Sequence, residues 1–279
     1  MILNIPALIN GYEITKCIQT NEDDICETYM GKGKQQKEVI LLVINMNALK
    51  RRGSKKAFFK ELSCYKHLCS PSFMPLLEQV NIRNDVYDIQ MMVFSKLPSM
   101  VSLKELLMRG NMKEEYAWNI ITDIVIAVKE ISYKSPSFIY FALNIDTIYV
   151  YQNQRGKLRG IIIGFQYIAH IPSHERPGQP ASLSNEKCQQ FYLATLFFNI
   201  LQGCAAWNLP MDITKIENPT QQKEHQKNIR IVKRLELCFK KALHPDPSKR
   251  YNSLDDFIKA LMHFSPFQMP TTFECFGKP

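Results

Sequence analysis

The chain has 279 residues, 46% of them hydrophobic, and 35 Lys and Arg against 26 Asp and Glu give it a formal charge of +9. This length and apolar content suit one large domain or two closely packed lobes and exclude disorder of the whole chain. No run reaches the roughly 18 apolar residues of a membrane span, and the longest, Phe191 to Leu201, carries Asn199 and reads as a buried helix.

The opening MILNIPALINGYE has no basic segment before its short apolar run and no glycine after the methionine, so neither a secretion signal nor myristoylation is predicted. Gly11 to Tyr29 reads as two strands around a polar turn of Asn21, Glu22, Asp23 and Asp24, with no glycine between Gly11 and Gly31. Lys37 to Asn45 is a β run, and Lys55 to Leu68 repeats Phe58, Leu62 and Tyr65 at helical spacing. Ser70 to Leu77 is a turn, and Val86 to Phe94 is a strand leading into a connection over Ser95 to Ser99. Leu103 to Met108 and Glu114 to Ser132 are helices, the second with Trp118, Ile121, Val125 and Val128 on one face.

Phe138 to Leu143, Thr147 to Tyr151 and the run ending at Gly164 are β-rich, the last two joined by the polar hairpin Gln152 to Lys157. Gln189 to Gly203 is apolar on nearly all sides, as a core helix is. Ser253-Leu254-Asp255-Asp256 is a capping-box-like start for a last helix, whose Phe257, Leu261 and Phe264 are expected to face inward. Three prolines and a glycine after Ser265 predict an irregular tail. The eight cysteines (17, 26, 64, 69, 188, 204, 238 and 275) form no CxxC pair and sit among apolar neighbours, which favours reduced core thiols over zinc or disulfides.

In their order and near their spacing, these segments resemble a protein kinase over about residues 11 to 265. In the register of the catalytic loop H-R-D-L-x-x-x-N, Tyr140, Phe141, Ala142, Leu143 and Thr147 take the places of His, Arg, Asp, Leu and Asn, and the D-F-G triplet becomes Ile162, Ile163, Gly164. The run Lys37 to Asn45 resembles the V-A-I-K strand, with Leu42 at the lysine, and Lys55 to Leu68 resembles the family's αC helix, with Glu61 at its ion-pairing glutamate. Ser70 to Leu77 resembles the H-P-N-I turn, and Phe94 takes the place of the residue that guards the nucleotide pocket. LHPDPSKRYNSLDD from Leu243 resembles L-x-x-D-P-x-x-R, with Arg250 at the buried arginine that pairs the A-P-E glutamate, a place taken here by Glu175.

The resemblance implies an α+β, bilobal kinase-like fold: a small β-rich N-lobe with one αC-type helix over 1–97, a larger, mainly helical C-lobe over 98–265 and an irregular tail over 266–279. It also implies that the catalytic groups are gone. Leu42, Ala142, Thr147 and Ile162 replace the phosphate-pairing lysine, the general base and both magnesium ligands, leaving Glu61, Gly164 and Arg250 as retained kinase-type residues. The polar turn before Ile25, acidic and without glycine, is ill suited to triphosphate. A Glu175–Arg250 ion pair and an inter-lobe stack of Tyr65, Tyr140 and Ile163 are the structural features implied.

The function implied is that of a pseudokinase that needs no cofactor or metal and offers a surface to a protein partner, an active kinase among them, as scaffold or allosteric regulator. A basic module for nucleic acid or anionic lipid is the alternative that the +9 charge raises, and a weak non-standard phosphotransferase is the second. Aromatic residues lie mostly within apolar periodic segments, which favours a solvated basic surface over a nucleic-acid platform. The densest basic run, KRRGSKK over Lys50 to Lys56, contains Ser54 in an R-R-x-S pattern at the expected N-cap of the αC-type helix, a candidate phosphosite; a solvated loop and a nuclear-import signal are its other readings. A cytoplasmic protein is expected, with the nucleus as the other location.

Overall fold

The computed structural model describes residues 2–20, 25–51, 58–59, 62–63, 65–109, 112–134, 145, 147–163, 185–202 and 235–265. Among the described residues of the first hundred there are six strands: β1 (Ala7–Ile9), β2 (Tyr12–Thr20), β3 (Cys26–Lys32), β4 (Glu38–Asn45), β5 (Leu76–Arg83) and β6 (Asp88–Ser95). They form one antiparallel sheet in the order β1-β2-β3-β4-β6-β5. The central β4, EVILLVIN, is apolar without alternation because both its faces are covered. Val39, Leu41 and Val43 join an outer core with Tyr12, Ile14, Tyr29, Met91 and Val93, while Ile40, Leu42 and Ile44 join an inner core with Met92 and Phe94. The sheet curls enough for the Tyr12 hydroxyl of β2 to donate to Glu78 of β5 at 2.5 Å.

β1 and β2 meet in a two-residue hairpin, with Ile9 opposite Tyr12 and Asn10 and Gly11 at φ 51° and 80°. Left-handed conformation at both central residues is the requirement of the tight hairpin turn that Asn-Gly satisfies. Helix α1 (Met46–Arg51) follows β4 directly, its first amides capped by Asn45 Oδ1, which accepts from Asn47 and Ala48 at 3.1 Å. Residues 58–59, 62–63 and 65 are helical, and Phe58, Leu62 and Tyr65 are buried on the inner core as their spacing predicts. β1, β5 and α1 are not anticipated by the sequence reading, which took Ser70 to Leu77 as a turn that β5 in fact enters at Leu76.

A second sheet, β7 (Val101–Ser102), β8 (Ile148–Gln152) and β9 (Leu158–Ile162), is antiparallel in that order. Around it lie α2 (Leu103–Met108), α3 (Glu114–Lys134), α4 (Asn185–Gln202), α5 (235–242) and α6 (Leu254–Met262). In α3, Trp118, Ile121, Val125 and Val128 are buried together with Ile120, Ile124 and Ala127, so its apolar stripe is wider than one narrow face and serves two neighbours, β9 and α4. Gly160 lets β9 approach closely: a Cβ there would meet Ile120 of α3 at 3.3 Å. The capping-box start holds, with Ser253 Oγ accepting the Asp256 N–H at 3.0 Å, and Phe257 and Leu261 are fully buried.

Phe264 corrects an expectation. It lies beyond the end of α6, is 40% exposed and meets His263 edge-to-face, because the helical phase that would turn it inward has already ended at Met262. Cys17, Cys26, Cys69 and Cys238 form no disulfide, and Cys69 is exposed where a core thiol was expected. The polar turn of Asn21 to Asp24, Ser54, Glu61, the run Phe138 to Leu143, Gly164, Glu175 and the tail 266–279 lie outside the described residues.

Candidate functional site

The inner face of β4 and β6 forms one wall of the region that the sequence reading equates with a kinase's nucleotide cleft. Antiparallel register sets Ile40 opposite Phe94 and Leu42 opposite Met92, and all four side chains are buried. The Tyr65 ring stands edge-on to Phe94 at 6.0 Å and to Phe73 at 5.8 Å, and its hydroxyl donates to the Met74 carbonyl at 2.6 Å. The phenol is thereby held by aromatic packing at its ring and by a main-chain carbonyl at its tip.

β8 and β9 add residues of the second sheet to the same core. Ile162 bonds through its main chain to the segment after the αC-type helix: its N–H donates to the Ser72 carbonyl at 2.7 Å, and its carbonyl accepts the Met74 N–H at 2.9 Å, making a parallel bridge with Phe73. The Ile163 N–H donates to the Thr147 carbonyl at 3.2 Å, and Ile162 stands opposite Ile148, so the two positions equated with metal ligands are each one residue from a paired neighbour of the other. Ile148, Tyr149, Ile162 and Ile163 belong to the same contiguous core as Ile40, Leu42, Tyr65 and Phe94. Leu42 and Ile162 end in hydrocarbon, with no atom to pair a phosphate or ligate a metal ion, and the Thr147 side chain is buried. Magnesium-ATP, the ligand the kinase fold implies, therefore does not fit the donor set at Leu42 and Ile162.

Of the three residues expected to stack between the lobes, Tyr65 and Ile163 are buried in that core, joined by Phe73, which the sequence reading did not single out. Tyr140, like Ala142, lies outside the described residues. Arg250 is buried, with Nε donating to the His244 carbonyl at 2.8 Å, one terminal nitrogen to the Lys187 carbonyl at 2.9 Å and the other to the Pro245 carbonyl at 3.4 Å. The Phe191 ring of α4 covers its guanidinium at 4.8 Å. Gln190, fully buried, clasps the same segment by accepting the Tyr251 N–H at 3.1 Å and donating to the Ser253 carbonyl at the same distance.

Two buried carboxylates of α3 were missed. Asp123 is bound by Arg159 of β9, whose Nε lies 2.9 and 3.1 Å from its two oxygens, and by the Gly160 N–H at 2.8 Å. Burial pushes its carboxyl above the usual range, against the opposing pull of the guanidinium and the amide. Glu130, also fully buried, accepts the Cys69 and Ser70 amides at 2.7 and 2.8 Å and so pins the segment after the αC-type helix to α3. The signal was available: a charge inside a wide apolar stripe is rarely buried unless it is partnered.

No protein-family model matches the sequence, and no curated protein matches it. Solved structures do. The PknI kinase domain of Mycobacterium tuberculosis, as a double mutant, superposes with a TM-score of 0.65 at 15% identity, over 95% of this chain and 100% of that one. The same domain without substitutions gives 0.62 at 15% identity, over 94% and 99%. A pseudokinase in its apo form gives 0.59 at 12% identity, over 91% and 92%. At such identities the likeness speaks for architecture alone, and with the curled six-stranded sheet and the helices that follow it, the chain has a bilobal, α+β protein-kinase-like fold.

Proposed function

We propose that the chain is a pseudokinase, a kinase-like domain with lobes over 1–97 and 98–265 that transfers no phosphate and presents a surface to a protein partner. The observation that carries this reading is the continuity of one apolar core that holds Leu42 and Ile162, which we assign to the lysine and metal-ligand positions, together with Ile40, Phe94 and Tyr149. Phosphoryl transfer relies on charge to hold and neutralise the phosphates and on a base to activate the acceptor. Hydrocarbon supplies neither, while an apolar stack can hold two lobes closed without a nucleotide. A scaffold or an allosteric regulator, with an active kinase as the partner, is the role that such a fixed shape serves. Phosphorylation at Ser54, between Arg51, Arg52, Lys55 and Lys56, is the switch we attach to it.

Thermal shift with magnesium-ATP tests this reading. No stabilisation is expected at millimolar nucleotide. A rise of several degrees that a chelator abolishes would sink the proposal, since binding at 100 times Kd contributes about 2.7 kcal/mol. The basic-surface alternative has weaker support: among the described residues, Lys50, Lys96, Arg109, Lys129, Arg159 and Lys240 each pair with a carboxylate.

A further inference from the structure

The outer face of the six-stranded sheet is covered by the chain's own residues 2–9. Leu3 is fully buried on a floor that includes Tyr12, Ile14, Tyr29, Leu41 and Met91, and Ile2, Ile5, Ala7 and Ile9 pack partly against the same floor. Two side chains of β3 read the main chain of this segment. The Glu27 carboxylate accepts the Ile2 N–H at 2.5 Å, and the Tyr29 hydroxyl accepts the Leu3 N–H at 3.0 Å while donating to Glu27. Glu27 is 1% exposed, and a carboxylate so deeply buried needs donors. Two of them meet at its Oε2, the Tyr29 hydroxyl of the floor and the Ile2 N–H of the segment, so an extended peptide main chain is part of what holds the carboxylate.

The main-chain ladder of this segment is short by comparison with the rest of the sheet. Only Ala7, Leu8 and Ile9 of it pair with β2, opposite Ile14, Glu13 and Tyr12, and β1 is an edge strand with β2 as its one neighbour in the sheet. Elements with few ladder bonds open locally at lower free energy than the core. The covered floor is apolar and extended, with polar readers for consecutive amides, which is how a protein takes up a peptide through its main chain and selects it through side-chain pockets.

We propose that this outer face is a peptide-docking groove and that residues 2–9 are its displaceable occupant. The partner it fits is an extended apolar segment with a large aliphatic side chain in the place of Leu3 and two consecutive main-chain N–H groups free to meet Glu27 and Tyr29. The groove lies on the opposite face of the sheet from the cleft, so the inference does not rest on the cleft being inactive.

The test uses the full chain carrying Leu3→Asp, which sets a second carboxylate on the apolar floor near Glu27 and unseats the segment. A labelled peptide of residues 2–9 with a lysine tag is titrated by fluorescence anisotropy. Binding to Leu3→Asp at least about tenfold tighter than to the wild type is expected, because the tethered segment competes at high effective concentration. Adding Glu27→Ala should weaken it by about tenfold or more, as loss of a hydrogen bond to a charged group does. Equal, weak binding to folded Leu3→Asp and to wild type would overturn the proposal. Amide exchange on the wild-type chain decides the matter if Leu3→Asp does not fold. The Leu3 and Ile9 amides are expected to exchange at least about tenfold faster than those of β4 through local opening. Exchange in step with β4 would show an integral strand and overturn the proposal.

Discussion

Arg159 of β9 holds Asp123 of α3 through its Nε at 2.9 and 3.1 Å and through a terminal nitrogen, with Asp123 2% and Arg159 36% exposed. Burial keeps the carboxyl above its ordinary range, so the folded state loses stability as pH rises through the window in which this group deprotonates. The pair therefore sets how β9 seats on α3 and adds little net stability. Arg159→Ala leaves a buried carboxylate without its guanidinium and is expected to cost about 3 to 5 kcal/mol. The double change Asp123→Asn with Arg159→Met, which keeps an acceptor for the Gly160 N–H, should recover most of that loss. Urea denaturation of the three proteins checks it, and a double variant no better than the single one would show that the pair stabilises on its own account.

Cys26 and Tyr12 predict an alkaline limit. Burial, reinforced by Glu27, pushes the Cys26 thiol up to about 12, and burial together with the hydrogen bond to Glu78 pushes the Tyr12 hydroxyl up to about 12. In the unfolded chain such groups ionise near ~8.5 and ~10. Both folded values are raised, so their contribution is complete below the unfolded values and is lost as pH rises toward 12. Stability measured by urea titration should fall steadily above about pH 9, and Cys26→Ala should flatten the first part of that fall. An unchanged slope in the variant would mean that the thiol is not buried in solution.

Much of the fold was legible from periodicity. Phe58, Leu62 and Tyr65, the stripe from Trp118 to Val128 and the continuous run of β4 announce their faces because burial on one side or both leaves a direct pattern in the sequence. β1 and β5 were not legible, since both are edge strands whose partial exposure dilutes alternation. The cleft was read through what is missing from it, at Leu42 and Ile162. Asp123, Glu130 and Phe73 were passed over because their roles are set by contacts between distant segments, 61 and 60 residues apart for Glu130 with Cys69 and Ser70. Phe264 was misplaced by extending a helical phase past the end of the helix.

Arg250 is already bound to three carbonyl groups and stacked on Phe191, and the proposed ion pair with Glu175 would add a counter-charge to that set. Removing the guanidinium strands acceptors in the interior and is expected to lower stability by at least about 3 kcal/mol. The informative comparison is the double-mutant cycle of Arg250→Ala and Glu175→Ala. If the pair forms, Glu175→Ala costs stability in the wild type and little in the Arg250→Ala background, a coupling of about 0.5 to 3 kcal/mol. Strict additivity would leave Arg250 as a binder of carbonyl groups alone.

Leu42→Lys tests the register of the whole cleft. Position 42 is buried on the inner face, opposite Met92 and Thr28 on the flanking strands, and an ammonium placed there loses its hydration. Burial of an unpaired lysine lowers its pKa by up to about 3 to 5 units, and the protein loses stability accordingly. The kinase register, however, assigns Glu61 of the αC-type helix to face this position. Leu42→Lys should then be destabilising but tolerated, and Glu61→Gln, close to neutral in the wild type, should cost about 1 to 3 kcal/mol more in the Leu42→Lys background. Denaturation at about pH 6 and about pH 9 separates the cases, because a lysine without Glu61 is neutral by the higher pH and its penalty shrinks there, whereas a paired lysine keeps its charge. Additive effects of the two changes at both pH values would place Glu61 away from position 42 and remove the register on which the reading of Leu42 depends.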